Sequence, residues 1–162
     1  MSNLLFSLDT LDKSGINLKD IKFFKEISIC HNINTKVREE IESILYMKAN
    51  IFIGEISLIK TDKMISNEGV TLSGYKLRVE LIINEFFKYS SKFSNSSVGI
   101  IRNNIIKTVY IVVPEKYRNI KIEELYRKKK ISIKGYLEDM YCDKYKGQVD
   151  ANLTILVNCN IN

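Results

Sequence analysis

The middle of the chain alternates between apolar and polar residues, and this alternation constrains the fold more than any other feature of the sequence. Every second residue from Tyr75 to Ile83 is apolar, and Lys76, Arg78 and Glu80 lie between them. Because successive side chains of a β-strand point to opposite faces, this period of two predicts a strand with one buried and one solvated face. The same period recurs near the C-terminus, where its apolar positions are Leu153, Ile155, Val157, Cys159 and Ile161.

Several other segments carry the composition of strands. A change of apolar face near Gly54 predicts a β-bulge there. The isoleucine-rich stretch 98–113 is interpreted as two strands broken near Asn103 and Asn104, ending at Pro114, which cannot donate a hydrogen bond to a neighbouring strand. The remaining predicted strands are 22–30, 48–60 and 131–142.

One segment has helical spacing instead. Val37, Ile41, Ile44 and Leu45 are separated by intervals of three and four, which predicts a helix near residues 35–47 with a single apolar stripe. The charged connector 115–130 is also expected to contain a helical turn at 121–127.

These elements predict a mainly β fold with one appended helix. We expect about six or seven strands, mostly antiparallel, forming a β-sandwich or a partly open barrel. A length of 162 residues fits one domain. We assign residues 22–162 to that domain and residues 1–21 to an N-terminal arm.

Composition narrows the classes of function. The net charge of +6 is compatible with nucleic acid, an anionic surface or an acidic partner protein. The three cysteines, Cys30, Cys142 and Cys159, have neither disulfide-framework nor zinc-site spacing, and Cys159 is expected to pack in the core. Neither a secretory signal nor a long apolar span is recognisable, so we expect synthesis in a cytosol and no membrane span.

No known catalytic motif is present, and we expect no enzymatic activity, no cofactor and no bound metal. His31, the single histidine, is interpreted as structural or solvated. Glu138 and Asp139 are adjacent in a predicted strand, so they are expected on opposite faces and not as a catalytic pair. Tyr136 and Tyr141 flank them as candidate interaction residues, and a small-ligand or carbohydrate site near these tyrosines is one alternative.

The strongest local charge feature is the basic run Arg127, Lys128, Lys129 and Lys130. It ends a segment, 116–130, that also contains Tyr117 and Tyr126, and basic residues among aromatic rings can bind single-stranded nucleic acid. Glu115, Glu123 and Glu124 dilute the positive charge. The alternatives are therefore a nucleic-acid or other polyanion site, a solvated loop, or a surface for an acidic protein.

The order of several motifs resembles the SPOCS domain of clostridial spore-coat and spore-morphogenetic proteins. Each motif is short, and the resemblance depends on their succession over about residues 23–160. The matching residues are Gly74 to Leu77, Ser97 and Val98, Val112 to Pro114, Tyr136, Glu138, Asp139, Tyr141, and Asn152 to Leu156. The chain departs from the family at Gly99, Ile100 and Ile101, which replace histidines, and in 29–42, which lacks the family's proline.

The resemblance implies a structural or adaptor protein of the spore coat. Such a protein would be made in the mother-cell cytoplasm, be deposited on the forespore, and have other coat or morphogenetic proteins as partners. It would self-assemble through strand edges or tyrosine-bearing sheet faces and form homo-oligomers.

Overall fold

In a computed structural model of the protein, residues 22–33, 41–65, 71–72, 74–92, 98–145 and 148–162 are described. The proposed N-terminal arm, residues 1–21, lies outside these ranges. The elements in chain order are β1 (Phe23–Asn32), β2 (Ile41–Lys60), β3 (Met64–Ile65), β4 (Thr71–Leu72), β5 (Tyr75–Ser91), β6 (Val98–Val112), β7 (Lys116–Tyr117), β8 (Ile120–Lys121), α1 (Ile122–Arg127), β9 (Ile131–Tyr145) and β10 (Gln148–Ile161).

The long strands form two three-stranded antiparallel sheets. The first sheet has the order β1-β10-β9 and the second sheet the order β2-β5-β6. Strands β3 with β4 and β7 with β8 make two short ribbons. The sheets are open and do not close into a barrel. Their strand content and antiparallel pairing confirm the prediction of a mainly β, mostly antiparallel fold.

One continuous core lies between the inner faces of the two sheets. In β5 the odd-numbered residues point inward, and Leu77, Val79, Leu81 and Ile83 are fully buried. In β10 the inward residues include Leu153, Ile155 and Cys159, which confirms the predicted packing of Cys159. Burial of each large aliphatic side chain contributes about 1.5–3 kcal/mol, which explains why alternation decides which face turns inward.

Gly135 allows β9 of the first sheet to approach β2 of the second sheet closely. Gly135 in β9 faces β2, and a Cβ atom at Gly135 would lie only 2.6 Å from Cγ2 of Ile51. Ile53 contributes the next nearest β2 side chain. Any side chain at position 135 would therefore push the two sheets apart or force Ile51 to move.

The predicted helix near residues 35–47 is wrong wherever the structure describes this segment, because residues 41–47 belong to β2. The register of β2 against β5 shifts between Ile41 and Ser43 and again between Ile44 and Tyr46. Each extra residue delays the return to the inner face, so the buried residues become Ile41, Ile44 and Met47. Spacings of three residues in a bulged strand thus imitate the period of a helix.

The described ranges contain one helix, α1. Its position confirms the helical turn predicted for 121–127. A register shift between Ile53 and Ile56 confirms the bulge predicted near Gly54.

The predicted break of 98–113 into two strands is wrong, since β6 runs through it without interruption. Asn103 pairs with Glu85 and Asn104 with Asn84, so polar partners in register keep these asparagines in the strand. No described helix is long and apolar enough to cross a membrane.

Candidate interaction surfaces

The outer side of the second sheet, called the apolar face here, exposes large apolar side chains. It is formed by the residues that alternate with the buried ones in β2, β5 and β6. Phe52, Ile82 and Ile106 form one cross-strand row, in which Phe52 is 51% and Ile106 61% exposed. The exposed large apolar residues of this face are Tyr46, Phe52, Val98, Ile100, Ile106, Tyr110 and Val112.

Strand β6 accounts for most of this exposure. Its outward positions carry isoleucine, valine and tyrosine where the outward positions of β5 carry several charged residues. An outward apolar side chain in an edge strand is covered on one side only, by the strand to which it is hydrogen-bonded. Large exposed apolar side chains that are grouped on one side of a sheet are typical of interaction sites in soluble proteins.

The polar residues of the apolar face are arranged in rows beside the apolar row. Asn50, Asn84 and Asn104 are aligned across all three strands directly next to Phe52, Ile82 and Ile106. Carboxamides donate and accept hydrogen bonds, so a row of asparagines is complementary to a second row of the same kind.

Charges of opposite sign flank these two central rows. Lys48 and Arg102 share a row on the far side of the asparagines, while Glu80 occupies the row on the other side of the apolar residues. Glu55 lies at the same end as Glu80 and is 3.5 Å from the guanidinium of Arg78. The two central rows are therefore uncharged, and charged residues lie on both sides of them.

The outer side of the first sheet, called the polar face, carries the four strand residues singled out in the sequence. Tyr136 is in a row with Leu156 and Glu26, Asp139 with Thr154 and Ser28, and Tyr141 with Asn152 and Cys30. Tyr141 is 45% exposed, and among the described residues only Phe24 joins it as an exposed large apolar side chain of this face. The polar face is thus built mainly from hydroxyl, amide and carboxylate groups.

The expectation that Glu138 and Asp139 lie on opposite faces is wrong. The register of β9 against β10 shifts at Glu138, and both neighbouring carboxylates are exposed between inward-facing Leu137 and Met140. The carboxylate of Asp139 accepts a hydrogen bond of 2.9 Å from the backbone N–H of Met140, so it stabilises the bulge. Partial burial, followed by the nearby Glu26 carboxylate, raises the pKa of Glu138.

The basic run caps the C-terminal end of α1. The N–H of Lys130 donates to the carbonyl of Leu125 and the N–H of Lys129 to that of Tyr126, the hydrogen bonds of a Schellman motif. Lys129 takes the left-handed conformation of this motif, with φ of 54°. All four basic residues are exposed, and positive charge is favourable at this end of a helix.

The candidate residues therefore do not form one site. Lys128 contacts the carboxylate of Glu124 at 2.6 Å, which lowers the pKa of Glu124. The run ends at Lys130, about 20 Å along β9 from Tyr136 at the usual rise per residue of a strand. The structure separates the predicted basic candidates from the predicted aromatic and acidic ones.

An interior cluster of polar residues was missed as a group by the sequence interpretation. The carboxylate of Glu85 is fully buried, lies 2.9 Å from Nε2 of His31, and accepts a hydrogen bond of 2.9 Å from the amide of Asn103. Burial raises the pKa of Glu85, while the nearby His31 and the hydrogen bond from Asn103 oppose that rise. A charged residue at an odd, inward position of β5 was the signal that could have revealed this cluster.

A thiol lies close to the interior cluster. Cys142 approaches the sulfur of Met47 at 3.7 Å, and burial, followed by the negative charge of Glu85, raises the pKa of Cys142 to about 12. A thiol with such a pKa stays protonated and is a poor nucleophile at neutral pH. Within the described ranges, no group of three histidine, cysteine, aspartate or glutamate side chains is arranged to hold a metal ion.

Comparison of the chain with protein-family models, curated proteins and solved structures finds no match. The function must therefore be argued from the surfaces described above and from the resemblance in the sequence.

Proposed function

We propose that the protein is a non-enzymatic structural or adaptor protein of the bacterial spore coat, which self-assembles through its apolar face. The observation that carries this proposal is the concentration of exposed isoleucine, valine and aromatic side chains on one side of the second sheet. The order of SPOCS-like motifs along the chain supports the proposed setting in the coat.

The exposed apolar residues supply the driving force for association. Each Å² of apolar surface removed from water contributes about 25 cal/mol. Ile106, Ile100 and Val98 project from the same edge strand, so a partner surface that covers β6 removes all three from water together. The Tyr46 and Phe86 rings, 6.1 Å apart in an edge-to-face arrangement, extend the covered region across the sheet.

A second copy of the chain is the occupant that this face fits best. Two copies can pack their apolar faces against each other about a two-fold axis along the asparagine row, so that the asparagines of one copy meet those of the other. A two-fold contact uses the same patch on both subunits, so one self-complementary face is sufficient.

Strand edges offer a route from a pair to a larger assembly. Strands β1 and β9 border the first sheet, and β2 and β6 border the second. An exposed edge can pair with a strand of another chain through backbone hydrogen bonds. Face packing combined with edge pairing would produce the layered structure that a coat requires, with other coat or morphogenetic proteins as further partners.

The alternative reading, a domain that binds nucleic acid or another polyanion through 116–130, has less support. Its basic run caps α1, and Lys128 is held by Glu124. Glu115 also pairs with Lys63, which lowers the pKa of the carboxyl group. The segment therefore does not present its cations as one continuous track.

The proposed setting can be tested with a fluorescent fusion in a sporulating clostridial cell. We expect the fusion to form a layer on the forespore surface, and Ile106→Lys to disperse it in the mother-cell cytoplasm. Ser28→Lys, which adds the same charge at an exposed position of the polar face, serves as the matched control and should keep the layer. A fusion that never leaves the cytoplasm would refute the coat assignment.

A further inference from the structure

A pocket of about 440 Å³ lies where the ends of the first sheet meet the β7–β8 hairpin. Lys22 and Phe23 enter it from the start of β1, and Ser132 and Lys134 from the start of β9. Tyr117 and Arg118 line it from the hairpin. Its volume is within the range of small-molecule sites, about 300–1,000 Å³.

The hairpin holds Arg118 in a strained conformation at this pocket. Tyr117 pairs with Ile120, and the two residues between them, Arg118 and Asn119, have φ of 49° and 64°. Two positive φ angles define a type I′ turn, for which asparagine and glycine are the favoured residues. An arginine in the left-handed region is strained because its Cβ atom approaches the following carbonyl oxygen, and such strain concentrates at functional sites.

The ring of Tyr117 contacts two of the cations, Arg118 and Lys22. The guanidinium of Arg118 lies 5.3 Å and the ammonium of Lys22 lies 5.9 Å from the centroid of the Tyr117 ring. Phe23 meets the same ring edge-to-face at 6.0 Å, which fixes the orientation of the ring. The Tyr117 ring therefore keeps a guanidinium and an ammonium group at the same pocket.

The charged side chains that line the pocket are all cations. Lys134 brings a third cation, and no aspartate or glutamate is among the lining residues. In the part of the chain that the structure describes, no ion pair involves Lys22, Arg118 or Lys134. Like charges held together repel, and a bound anion removes that repulsion.

We propose that this pocket binds a small phosphorylated molecule. The planar guanidinium of Arg118 matches two phosphate oxygens, and the lysines add point charges. The Ser132 hydroxyl and the Asn160 amide are available as neutral donors. The volume exceeds that of a single phosphate group, so the ligand carries further atoms beyond the phosphate.

Isothermal titration with inorganic pyrophosphate at constant ionic strength tests this inference. We expect saturable binding at one site, weakened about tenfold each by Arg118→Gln and Lys134→Gln, because each removes one charge-assisted contact. Lys88→Gln removes an exposed cation from the apolar face and should leave the affinity unchanged. Circular dichroism verifies that all the variants retain the strand content of the wild type.

Three results would overturn the proposal. The first is a lack of saturable binding, and the second is an equal loss of affinity in Lys88→Gln and Arg118→Gln. The third is much tighter binding of a single-stranded oligonucleotide with a steep salt dependence, which would indicate a polyanion groove. None of these results depends on self-association, so the pocket and the apolar face are tested separately.

Discussion

The two three-stranded sheets both contribute inward-facing side chains to one core, but they differ on their outer sides. Inward positions of both sheets are filled by leucine, isoleucine and valine, including Leu81 in the second sheet and Leu153 in the first. The outer side of the first sheet carries carboxylates, amides and hydroxyls, whereas that of the second carries exposed isoleucines and aromatic rings. Folding requires only the inner sides, so the outer sides are free to differ and carry the information about function.

The largest expected effect tests whether the sheets share one core. Leu81→Ala and Leu153→Ala each remove a fully buried side chain from a different sheet, and each should lower the free energy of unfolding by about 2–5 kcal/mol. Urea unfolding followed by circular dichroism should show one cooperative transition for both variants. Two separate transitions, of which each variant shifts only one, would mean that the sheets unfold independently.

A smaller effect is expected where the two sheets meet. Gly135→Ala places a methyl group against Ile51 and should lower the free energy of unfolding by about 1–3 kcal/mol. Ser132→Ala, at an exposed position of the same strand, is the control and should change it by less than about 0.5 kcal/mol. Equal stability of the two variants in urea unfolding would contradict the close approach of β9 to β2.

The buried carboxylate of Glu85 in the interior cluster should make the free energy of unfolding depend on pH. Burial raises the pKa of Glu85 above its value in the unfolded chain, so its contribution to stability is present at low pH and is lost as pH rises through the raised pKa. Glu85→Gln keeps an acceptor for Asn103 but cannot ionise. In urea unfolding, the free energy of unfolding of Glu85→Gln should rise relative to that of the wild type as the pH increases from 4 to 8. The change should be smaller than the loss caused by either leucine truncation. A difference that does not depend on pH would argue against a net penalty for ionised Glu85.

The smallest expected effect concerns the basic run. Lys129 has positive φ, so Lys129→Gly should relieve backbone strain and raise the free energy of unfolding by about 0.5–1 kcal/mol. Lys128→Gly, at an ordinary φ of −78°, should not stabilise the protein and loses the contact with Glu124. A stabilising Lys128→Gly, or a destabilising Lys129→Gly, would show that the run does more than cap α1.

The sequence was sufficient for strands that contain no bulged residue themselves. Alternation from Tyr75 to Ile83 and from Leu153 to Ile161 identifies β5 and β10 and their inward residues, because a period of two depends only on the strand itself. The fold class follows from counting such segments, since a chain with little helical periodicity has few alternatives to stacked antiparallel sheets.

Bulges explain two of the errors. The spacing of Val37, Ile41, Ile44 and Leu45 was interpreted as helical, and Glu138 and Asp139 were expected on opposite faces, because both interpretations assumed unbroken periods. A bulge depends on the opposing strand, which lies far away in the sequence.

The candidate surfaces were less predictable still. Exposure of Ile106 follows from the position of β6 at the edge of its sheet, which no local pattern in 98–113 reveals. The isoleucines of 98–113 indicated strands, but they did not indicate which side would be exposed. Glu85 was different, since its inward position in β5 was visible in the sequence.

Sedimentation velocity over a wide concentration range tests the central claim most directly. The apolar face should bring copies of the chain together, so the wild type and Ser28→Lys should sediment as dimers or larger species that dissociate on dilution. Ile106→Lys, which places a charge in the middle of that face, should remain a monomer throughout. A wild type that stays monomeric at the highest concentration, or an Ile106→Lys variant that associates as the wild type does, would contradict the account.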